Sequence, residues 1–225
     1  MVLGAQAPGR VGRRPAFSAG RKLASASFRP RTSRTLAASF PFVVAVLHCI
    51  PVELRDGDLL LRSWAEDDVP ELAITCDDPE IAYWIPPIPS PYTEDDARTF
   101  IRGEARPGES HSLAITLDGR IAGGIGIGVN ANDYRGRIGY WVAADVRGRG
   151  VCTRALRLLA RFGLDELELQ RLELITDPDN VASQRVAEKV GFQREGVLRA
   201  HLRHPDGRVR DSVMYSLLPG ELGEA

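Results

Sequence analysis

The residues best suited to chemistry stand in one short segment, Asp-Val-Arg-Gly-Arg-Gly-Val-Cys-Thr-Arg over positions 145–154. Gly148 and Gly150 place no side chain in front of the backbone, so several N–H groups can point at one ligand. An amphipathic helix is predicted from about Val151, and a helix start adds unpaired N–H donors and the positive end of the dipole. The segment therefore predicts a site for phosphate or pyrophosphate, which we favour over a bare tight turn.

Two nucleotide-binding motifs are excluded. No Gly-Lys-Ser/Thr follows these glycines, so the segment is not a P-loop, and it does not follow the first strand of a Rossmann unit. Residues 126–131, Gly-Ile-Gly-Val-Asn-Ala, do fit the spacing G-x-G-x-x-A. They continue into a turn-forming run instead of a helix, so we interpret Gly126 and Gly128 as relieving crowding within a strand.

The elements that must position this segment predict a mixed α/β chain. Strands are predicted at residues 59–64, 112–116, 121–129, 137–142, 171–176, 192–198 and 209–217. Helices are predicted at 66–76, 93–102, 151–166 and 181–190. Thr93 and Asp96 suit a capping box, and Gly191 suits a left-handed helix end. The four prolines within residues 85–91 predict a loop.

Three groups of residues together resemble the GCN5-related N-acetyltransferases. Arg147-x-x-Gly150-x-Cys152 matches their acyl-CoA loop, R/Q-x-x-G-x-G/A. Gly139-Tyr140-Trp141 precedes it, and Asn180-x-x-Ser183 and the run Ala-Glu-Lys-Val-Gly-Phe over 187–192 follow it. These flanking motifs are similar to the subgroup that acetylates the N-termini of ribosomal proteins. The resemblance covers about residues 56–218.

The resemblance implies an α/β (α+β) fold with a mostly antiparallel central sheet, flanked by helices and splayed open between the fourth and fifth predicted strands. Acetyl-CoA is expected in that opening as a co-substrate, with its pantetheine arm beside the strand that ends at Val142. A backbone N–H near Val142 is expected to polarise the thioester carbonyl, which the acceptor amine attacks directly. The pyrophosphate is expected on the amides of Arg147, Gly148, Arg149, Gly150, Val151, Cys152 and Thr153.

Asn180 and Ser183 each have two interpretations. Asn180 suits a helix N-cap, whereas the resemblance implies a hydrogen bond to the pantetheine, and one residue can serve both purposes. Ser183 is either a first-turn helix residue or, as the resemblance implies, the hydroxyl that protonates or stabilises the departing thiolate. The family often has a tyrosine four residues later, where this chain has Ala187. Ser183 is therefore the predicted catalytic residue.

Cys152 stands where the family has glycine or alanine. A thiol at a helix N-terminus can have a lowered pKa and act as a nucleophile, but we favour a small residue packed beneath the co-substrate. Arg147 is expected either to hold the loop or to pair with phosphate. Arg154, Arg157 and Arg161 share one helix face and are expected in solvent, with one of them available to the 3′-phosphate of CoA.

No general base stands out in the sequence. The possible ones are Asp133, Tyr134, Glu109, His111 and His201. At pH 7 an α-amine with a pKa near 8 is about 10% neutral, whereas a lysine amine is only about 0.04% neutral. A site without a strong base therefore suits an α-amine better than a lysine. His201-x-x-His204 lacks further ligands nearby, so no metal site is expected.

Composition and charge exclude several classes of protein. Hydrophobic residues make up 44% of the 225 residues and charged residues 26%, as in an ordinary folded domain. The 29 basic and 30 acidic side chains nearly cancel, so no surface-wide field for nucleic acid is expected. The three cysteines cannot build a disulfide framework, and no apolar run reaches the roughly 20 residues of a membrane helix. We expect a cytoplasmic monomer or homodimer in a reducing compartment.

Residues 1–51 differ from the rest of the chain. Every charged residue before Glu53 is basic, and alanine, serine, glycine and proline are frequent, so a disordered basic tail is predicted. This stretch suits an organellar transit peptide, or a basic arm that contacts nucleic acid or anionic lipid. It equally suits a mis-assigned upstream start, with translation beginning at Val52.

We therefore expect one acetyltransferase domain over residues 52–220 and a C-terminal tail over 221–225. Its expected reaction moves an acetyl group from acetyl-CoA to a primary amine, such as the N-terminal α-amine of a ribosomal protein. A small-molecule amine (antibiotic, polyamine or amino acid) as acceptor and a non-catalytic acyl-CoA-binding module are the alternatives. The acceptor pocket is expected between the loop Tyr83-Trp84-Ile85-Pro86 and the helix after Thr93.

Overall fold

An eight-stranded sheet forms the centre of the protein. The computed structural model describes residues 52–85, 88–103, 111–130, 132–203 and 207–223, so the predicted tail over 1–51 lies outside the described residues. In chain order the strands are β1 (Leu54–Asp56), β2 (Leu59–Ser63), β3 (His111–Leu117), β4 (Arg120–Asn130), β5 (Arg135–Val142), β6 (Arg171–Thr176), β7 (Gln193–Arg203) and β8 (Val209–Leu217). They lie in the order β1-β2-β3-β4-β5-β6-β8-β7. All neighbours are antiparallel except β5 and β6, which confirms the predicted fold class.

Helices cover both faces of the sheet. They are α1 (Val69–Cys76), which follows a 3-10 turn over Glu66–Asp68, then α2 (Pro79–Trp84), α3 (Glu94–Ile101), α4 (Val151–Asp165) and α5 (Val181–Val190). The capping residues predicted from the sequence are found at the ends of α3 and α5. Thr93 and Asp96 form the predicted capping box of α3, and Gly191 ends α5 with a φ of 108°.

Two hydrophobic clusters hold the helices to opposite faces of the sheet. Tyr140 of β5 packs with the larger cluster, which includes α4, and its neighbour Trp141 packs with the smaller one, which includes α1. Successive residues of a strand point to opposite faces, so β5 contributes to both clusters. In α4, Leu156 and Leu159 are at most 1% exposed, and such burial contributes about 1.5–3 kcal/mol for each side chain.

The sheet opens between β5 and β6. These parallel strands pair from Arg135 with Arg171 to Ile138 with Leu174, and no pair within the described residues continues beyond that point. The last four residues of β5 stay paired with β4 on the other side. The predicted opening between the fourth and fifth predicted strands is therefore confirmed, and it lies at the carboxyl ends of β5 and β6.

Two short elements were missed in the sequence. The strand β1 pairs with β2 through a turn at Gly57-Asp58, and α2 occupies the region predicted to begin a loop at Tyr83. Signals for α2 were present, because Pro79 stands at its first position and Asp78 caps it by accepting a hydrogen bond from the N–H of Glu80 at 2.8 Å. Six residues are too few to show a helical period.

The arginines of α4 are not all in solvent, contrary to the prediction. Arg154 binds the carboxylates of Asp56 at 2.8 Å and Asp58 at 2.7 Å, which joins α4 to the β1–β2 hairpin. Arg157 donates to the carbonyl of Lys189 at 3.2 Å, which joins α4 to α5. Arg161 is exposed, as predicted.

The interpretation of Gly126 is confirmed, because a Cβ there would lie 2.9 Å from the carbonyl oxygen of His111 in the neighbouring strand.

Part of the predicted C-terminal tail contacts the fold. The N–H of Gly223 donates to the carbonyl of Val190 at 2.9 Å, and Leu222 packs against the larger cluster. Residues 224 and 225 lie outside the described residues.

Candidate active site

The turn before α4 has the backbone conformation that an anion site requires. Gly148 and Gly150 have φ values of +73° and +79°, and a Cβ at either position would meet no atom within 4 Å. Glycine is favoured there by the left-handed backbone, and the space in front of it is open. Gly150 is the N-cap of α4, no side chain caps the helix, and its first turn contains no acidic residue.

Most of the amides predicted to bind pyrophosphate are unpaired. Within the described residues, the N–H groups of Gly148, Gly150, Val151, Cys152 and Thr153 make no hydrogen bond. The two other predicted amides are already used inside the turn. The N–H of Arg147 donates to the carbonyl of Ala144, and the N–H of Arg149 donates to the carbonyl of Val146, each at 3.4 Å. Five of the seven predicted amides are therefore available to a ligand.

The side chain of Arg147 points towards carboxylates. Its guanidinium binds Asp78 and lies 2.7 Å from the Oε2 atom of Glu80. Both acidic residues belong to the start of α2. Of the two interpretations of Arg147, the geometry therefore favours the one in which its side chain holds the loop.

Val142 ends β5 at the mouth of the opening. It pairs with Gly123 of β4, and the N–H of the next residue, Ala143, donates to the carbonyl of Ala122 at 2.9 Å. Residues opposite each other in an antiparallel pair alternate between hydrogen-bonded and non-bonded positions. By that alternation the N–H of Val142 points away from β4, to the side where β6 has diverged.

Ser183 lies across the opening from β5. Its hydroxyl oxygen is 3.0 Å from the phenol oxygen of Tyr140, and that phenol also lies 3.2 Å from the Ser183 carbonyl. Asn180 accepts a hydrogen bond from the N–H of Ser183 at 3.0 Å, which confirms its N-cap interpretation. Position 187 on α5, where the family often has a tyrosine, is a fully buried alanine in this chain. The phenol beside Ser183 is instead that of Tyr140 on β5. The motif containing Tyr140 was noted in the sequence, but its contact with Ser183 was not predicted.

The hydroxyl protons of this pair allow two arrangements. A phenol has one proton, so Tyr140 donates either to the Ser183 carbonyl or to the Ser183 hydroxyl. In the second arrangement the serine proton is free for a third group. Burial and the nearby Cys152 thiol raise the pKa of Tyr140 far above its ordinary value, which keeps the phenol protonated.

Cys152 is unsuited to nucleophilic attack. It is buried in the first turn of α4, and burial raises the pKa of its thiol to about 12. Since the thiolate is the nucleophile, a buried neutral thiol is inert at physiological pH. The position of Cys152 agrees with the interpretation of a small packed residue.

A cavity of about 340 Å³ lies at the carboxyl end of β6. Tyr83 of α2, residues 177–179 and residues 208–211 line it. Among its lining residues, Asp177 is 8% exposed and binds Arg210 at 2.9 Å. The predicted loop at Tyr83 is thus the end of a helix, while α3 packs with α1 instead of lining this cavity. Pro86 lies outside the described residues.

The possible general bases are scattered. Asp133 and Tyr134 precede β5, so they lie at the opposite end of that strand from Val142, and Asp133 binds Arg135 at 2.6 Å. His111 begins β3, and the Nδ1 atom of His201 is 3.1 Å from the hydroxyl of Ser212. Glu109 and His204 lie outside the described residues. Among the residues that the structure covers, no group of three or more His, Cys, Asp or Glu side chains is placed to hold a metal ion.

The sequence of residues 58–193 matches the family described as "Acetyltransferase (GNAT) domain". The chain belongs to this family. Solved GNAT structures share the fold: Mycobacterium smegmatis RimJ in complex with CoA-disulfide superposes with a TM-score of 0.67 and 26% identity, over 78% of this chain and 90% of that one. None of the helices in the described part of this GNAT protein has the length and apolar character needed to cross a bilayer.

Two curated GNAT relatives differ in the acceptor that their names give. The "Putative ribosomal N-acetyltransferase YdaF" of Bacillus subtilis is 36% identical over 108 residues, which are 48% of this chain and 58% of that protein. The "Spermidine N(1)-acetyltransferase" of Escherichia coli is 29% identical over 102 residues, which are 45% of this chain and 54% of that protein. The chain thus covers little more than half the length of each of these relatives.

Proposed function

We propose that residues 52–220 transfer an acetyl group from acetyl-CoA to the N-terminal α-amine of a protein of the ribosomal class. The observation that carries the proposal is the opening between β5 and β6, which stands beside a turn of five unpaired amides at the start of α4. Such a turn suits a pyrophosphate, because each N–H donates without a competing acceptor and the helix dipole favours negative charge.

Three residues at the opening, Val142, Ser183 and Asn180, have separate roles in the proposed acetyl transfer. The N–H of Val142 polarises the thioester carbonyl, and donors of this kind contribute about 2.7–4 kcal/mol to lowering a barrier. The neutral amine attacks the carbonyl carbon and the carbon–sulfur bond breaks. The hydroxyl proton of Ser183 passes to the departing sulfur, and the proton lost by the acetylated nitrogen returns through solvent to the Ser183 oxygen. Asn180 orients the start of α5 through its cap and presents its side-chain amide to the pantetheine. Acetyl-CoA itself supplies the activated acetyl group.

Two considerations support an α-amine as acceptor. Asp133 and Tyr134 stand at the far end of β5, and Asp177, at the cavity beyond β6, is already bound to Arg210. A site without a strong base suits an amine that is partly neutral at pH 7. The name of the Bacillus subtilis relative supports a ribosomal acceptor.

The spermidine enzyme among the relatives supports the second candidate, a small-molecule amine. Asp177, Asp179 and Asp211 line the cavity beside two arginines, and acidic side chains suit a cationic acceptor of either class. A non-catalytic acyl-CoA-binding module is the third candidate.

An acceptor screen separates these candidates. The full chain is titrated with CoA by calorimetry, then given acetyl-CoA and matched acceptors, and free thiol release is followed. The acceptors are peptides with a free or a blocked α-amine, each containing one lysine, together with spermidine and free amino acids. We expect CoA binding and acetylation of the free α-amine only. Acetylation of spermidine alone favours the second candidate, CoA binding without transfer favours the third, and an absence of CoA binding overturns the proposal.

A further inference from the structure

The side chain of Arg147 joins the turn before α4 to a helix about 70 positions earlier in the chain. Its two terminal nitrogens bind two different carboxylates, those of Asp78 and Glu80. Asp78 uses both of its oxygens, since Oδ1 caps α2 and Oδ2 binds the guanidinium. One carboxylate therefore starts the helix and also fastens it to the turn.

The helix held in this way is short and only partly buried. Within α2 only Ile81 is buried, and a six-residue helix is not stable without tertiary contacts. At its far end α2 carries Tyr83 into the wall of the cavity beyond β6. Six helical residues span about 9 Å, so a shift at Asp78 changes the position of Tyr83.

The charges at this junction are well defined. Burial of the Asp78 carboxyl opposes ionisation, but the N–H of Glu80 and the guanidinium of Arg147 outweigh it and hold the pKa of Asp78 below its ordinary value. Arg147 is about 30% exposed and Asp78 about 18% exposed, so solvent screens the pair only in part. The pair therefore persists at physiological pH.

A phosphate-binding role for the same guanidinium would require it to leave both carboxylates. The turn does not need this, because five of its amides are unpaired within the described residues. We infer that Arg147 is a positioning residue that links the pyrophosphate turn to α2 and thereby fixes the wall of the acceptor cavity at Tyr83. This inference rests on the proposed function.

The two roles of Arg147 predict opposite effects of Asp78→Asn. Asparagine still caps α2, because its side-chain oxygen accepts from the Glu80 N–H, but it no longer holds the guanidinium by charge. For a positioning residue, Asp78→Asn and Arg147→Gln both raise the KM for the acceptor about fivefold and leave the Kd for CoA within about twofold. For a phosphate ligand, Asp78→Asn frees the guanidinium and tightens CoA binding, whereas Arg147→Gln weakens it.

The experiment measures acceptor KM, kcat and the calorimetric Kd for CoA in both single variants and in the double variant. We expect the double variant to match the single ones, because either change breaks the same contact. Hydrogen exchange of residues 79–85 gives a readout independent of activity and is expected to accelerate in all three. Glu80→Gln, which removes only the second carboxylate, is expected to give a smaller change, and the exposed Arg55→Gln is the matched control.

A Kd for CoA that changes in opposite directions in the two variants overturns the inference, as does an acceptor KM unchanged in both. Additive effects in the double variant also overturn it. Wild-type protein that binds CoA and acetylates an acceptor, while the variants behave like Arg55→Gln, refutes this inference alone. Wild-type protein that binds no CoA refutes the proposed function instead.

Discussion

The hydroxyl oxygens of Tyr140 and Ser183 lie 3.0 Å apart and join β5 to the first turn of α5 beside the opening of the sheet. The serine is held on its other side, because Asn180 accepts its backbone N–H. This arrangement places one phenol and one aliphatic hydroxyl where the family motif alone indicated a serine. Their contributions to the reaction can be separated by removing each hydroxyl in turn.

Ser183→Ala is expected to lower kcat about a hundredfold, because positioned proton donors contribute at least that factor. Tyr140→Phe keeps the ring in the cluster and removes only the phenol oxygen, so a smaller loss of about tenfold in kcat is expected. Steady-state kinetics with saturating acetyl-CoA measures both. Tyr134→Phe, in the β4–β5 turn at the far end of β5, is the control and should keep wild-type rates. A Ser183→Ala variant with full kcat would show that the thiolate leaves without this proton.

Cys152→Ala is expected to retain most of the activity. The thiol is buried with a pKa raised to about 12, so it supplies no thiolate at neutral pH. Activity and circular dichroism of the variant test this directly. A folded but inactive variant would support a covalent acyl-enzyme on this cysteine, and mass spectrometry of the wild type after exposure to acetyl-CoA would then detect it.

Gly150→Ala is expected to weaken CoA binding about tenfold. The new methyl group stands in the open space before the unpaired amides, and the left-handed backbone costs about 1–2 kcal/mol with a side chain present. Gly119→Ala is the matched control, since its φ is +85° and its Cβ would also meet no atom within 4 Å. Both variants should lose similar stability in urea unfolding, but only Gly150→Ala should change the calorimetric Kd. Equal Kd values would contradict an anion site at this turn.

Acid stability is expected to depend on Glu195 of β7. The guanidinium of Arg171 and the hydroxyl of Ser216 lower its pKa from 4.5 to about 2. A lowered carboxyl pKa stabilises the fold above the ordinary value, and this stabilisation disappears as the pH falls from about 4.5 towards 2. Glu195→Gln should therefore lower Tm at pH 7 and flatten the decline of Tm below pH 4.5. The exposed Glu53→Gln should follow the wild-type curve, and identical curves for all three proteins would exclude this source of acid sensitivity.

Features governed by neighbouring residues were predictable from the sequence. The cap at Asn180, the left-handed end at Gly191 and the glycine turn all follow from local backbone rules. The opening between β5 and β6 was implied by the family resemblance and not by periodicity, whereas their parallel pairing was not predicted.

Features governed by distant residues were not predictable. The contact of Arg147 with Asp78 joins positions 69 apart, and that of Tyr140 with Ser183 joins positions 43 apart. Sequence spacing carries no information on which of many arginines meets which of many carboxylates once the chain folds. The helix α2 was missed because its capping signal, Asp78-Pro79, stands beside a proline-rich run that indicated a loop.

The early end of the pairing between β5 and β6 has a consequence for thermal behaviour. From Gly139 to Val142 one side of β5 is an internal sheet edge that no strand of the described fold covers. Backbone amide groups at such an edge pair with water or with another molecule that aligns along the strand. A ligand that binds along this edge therefore raises the free energy of unfolding. The melting temperature then measures saturation by CoA, or by CoA analogues that never react.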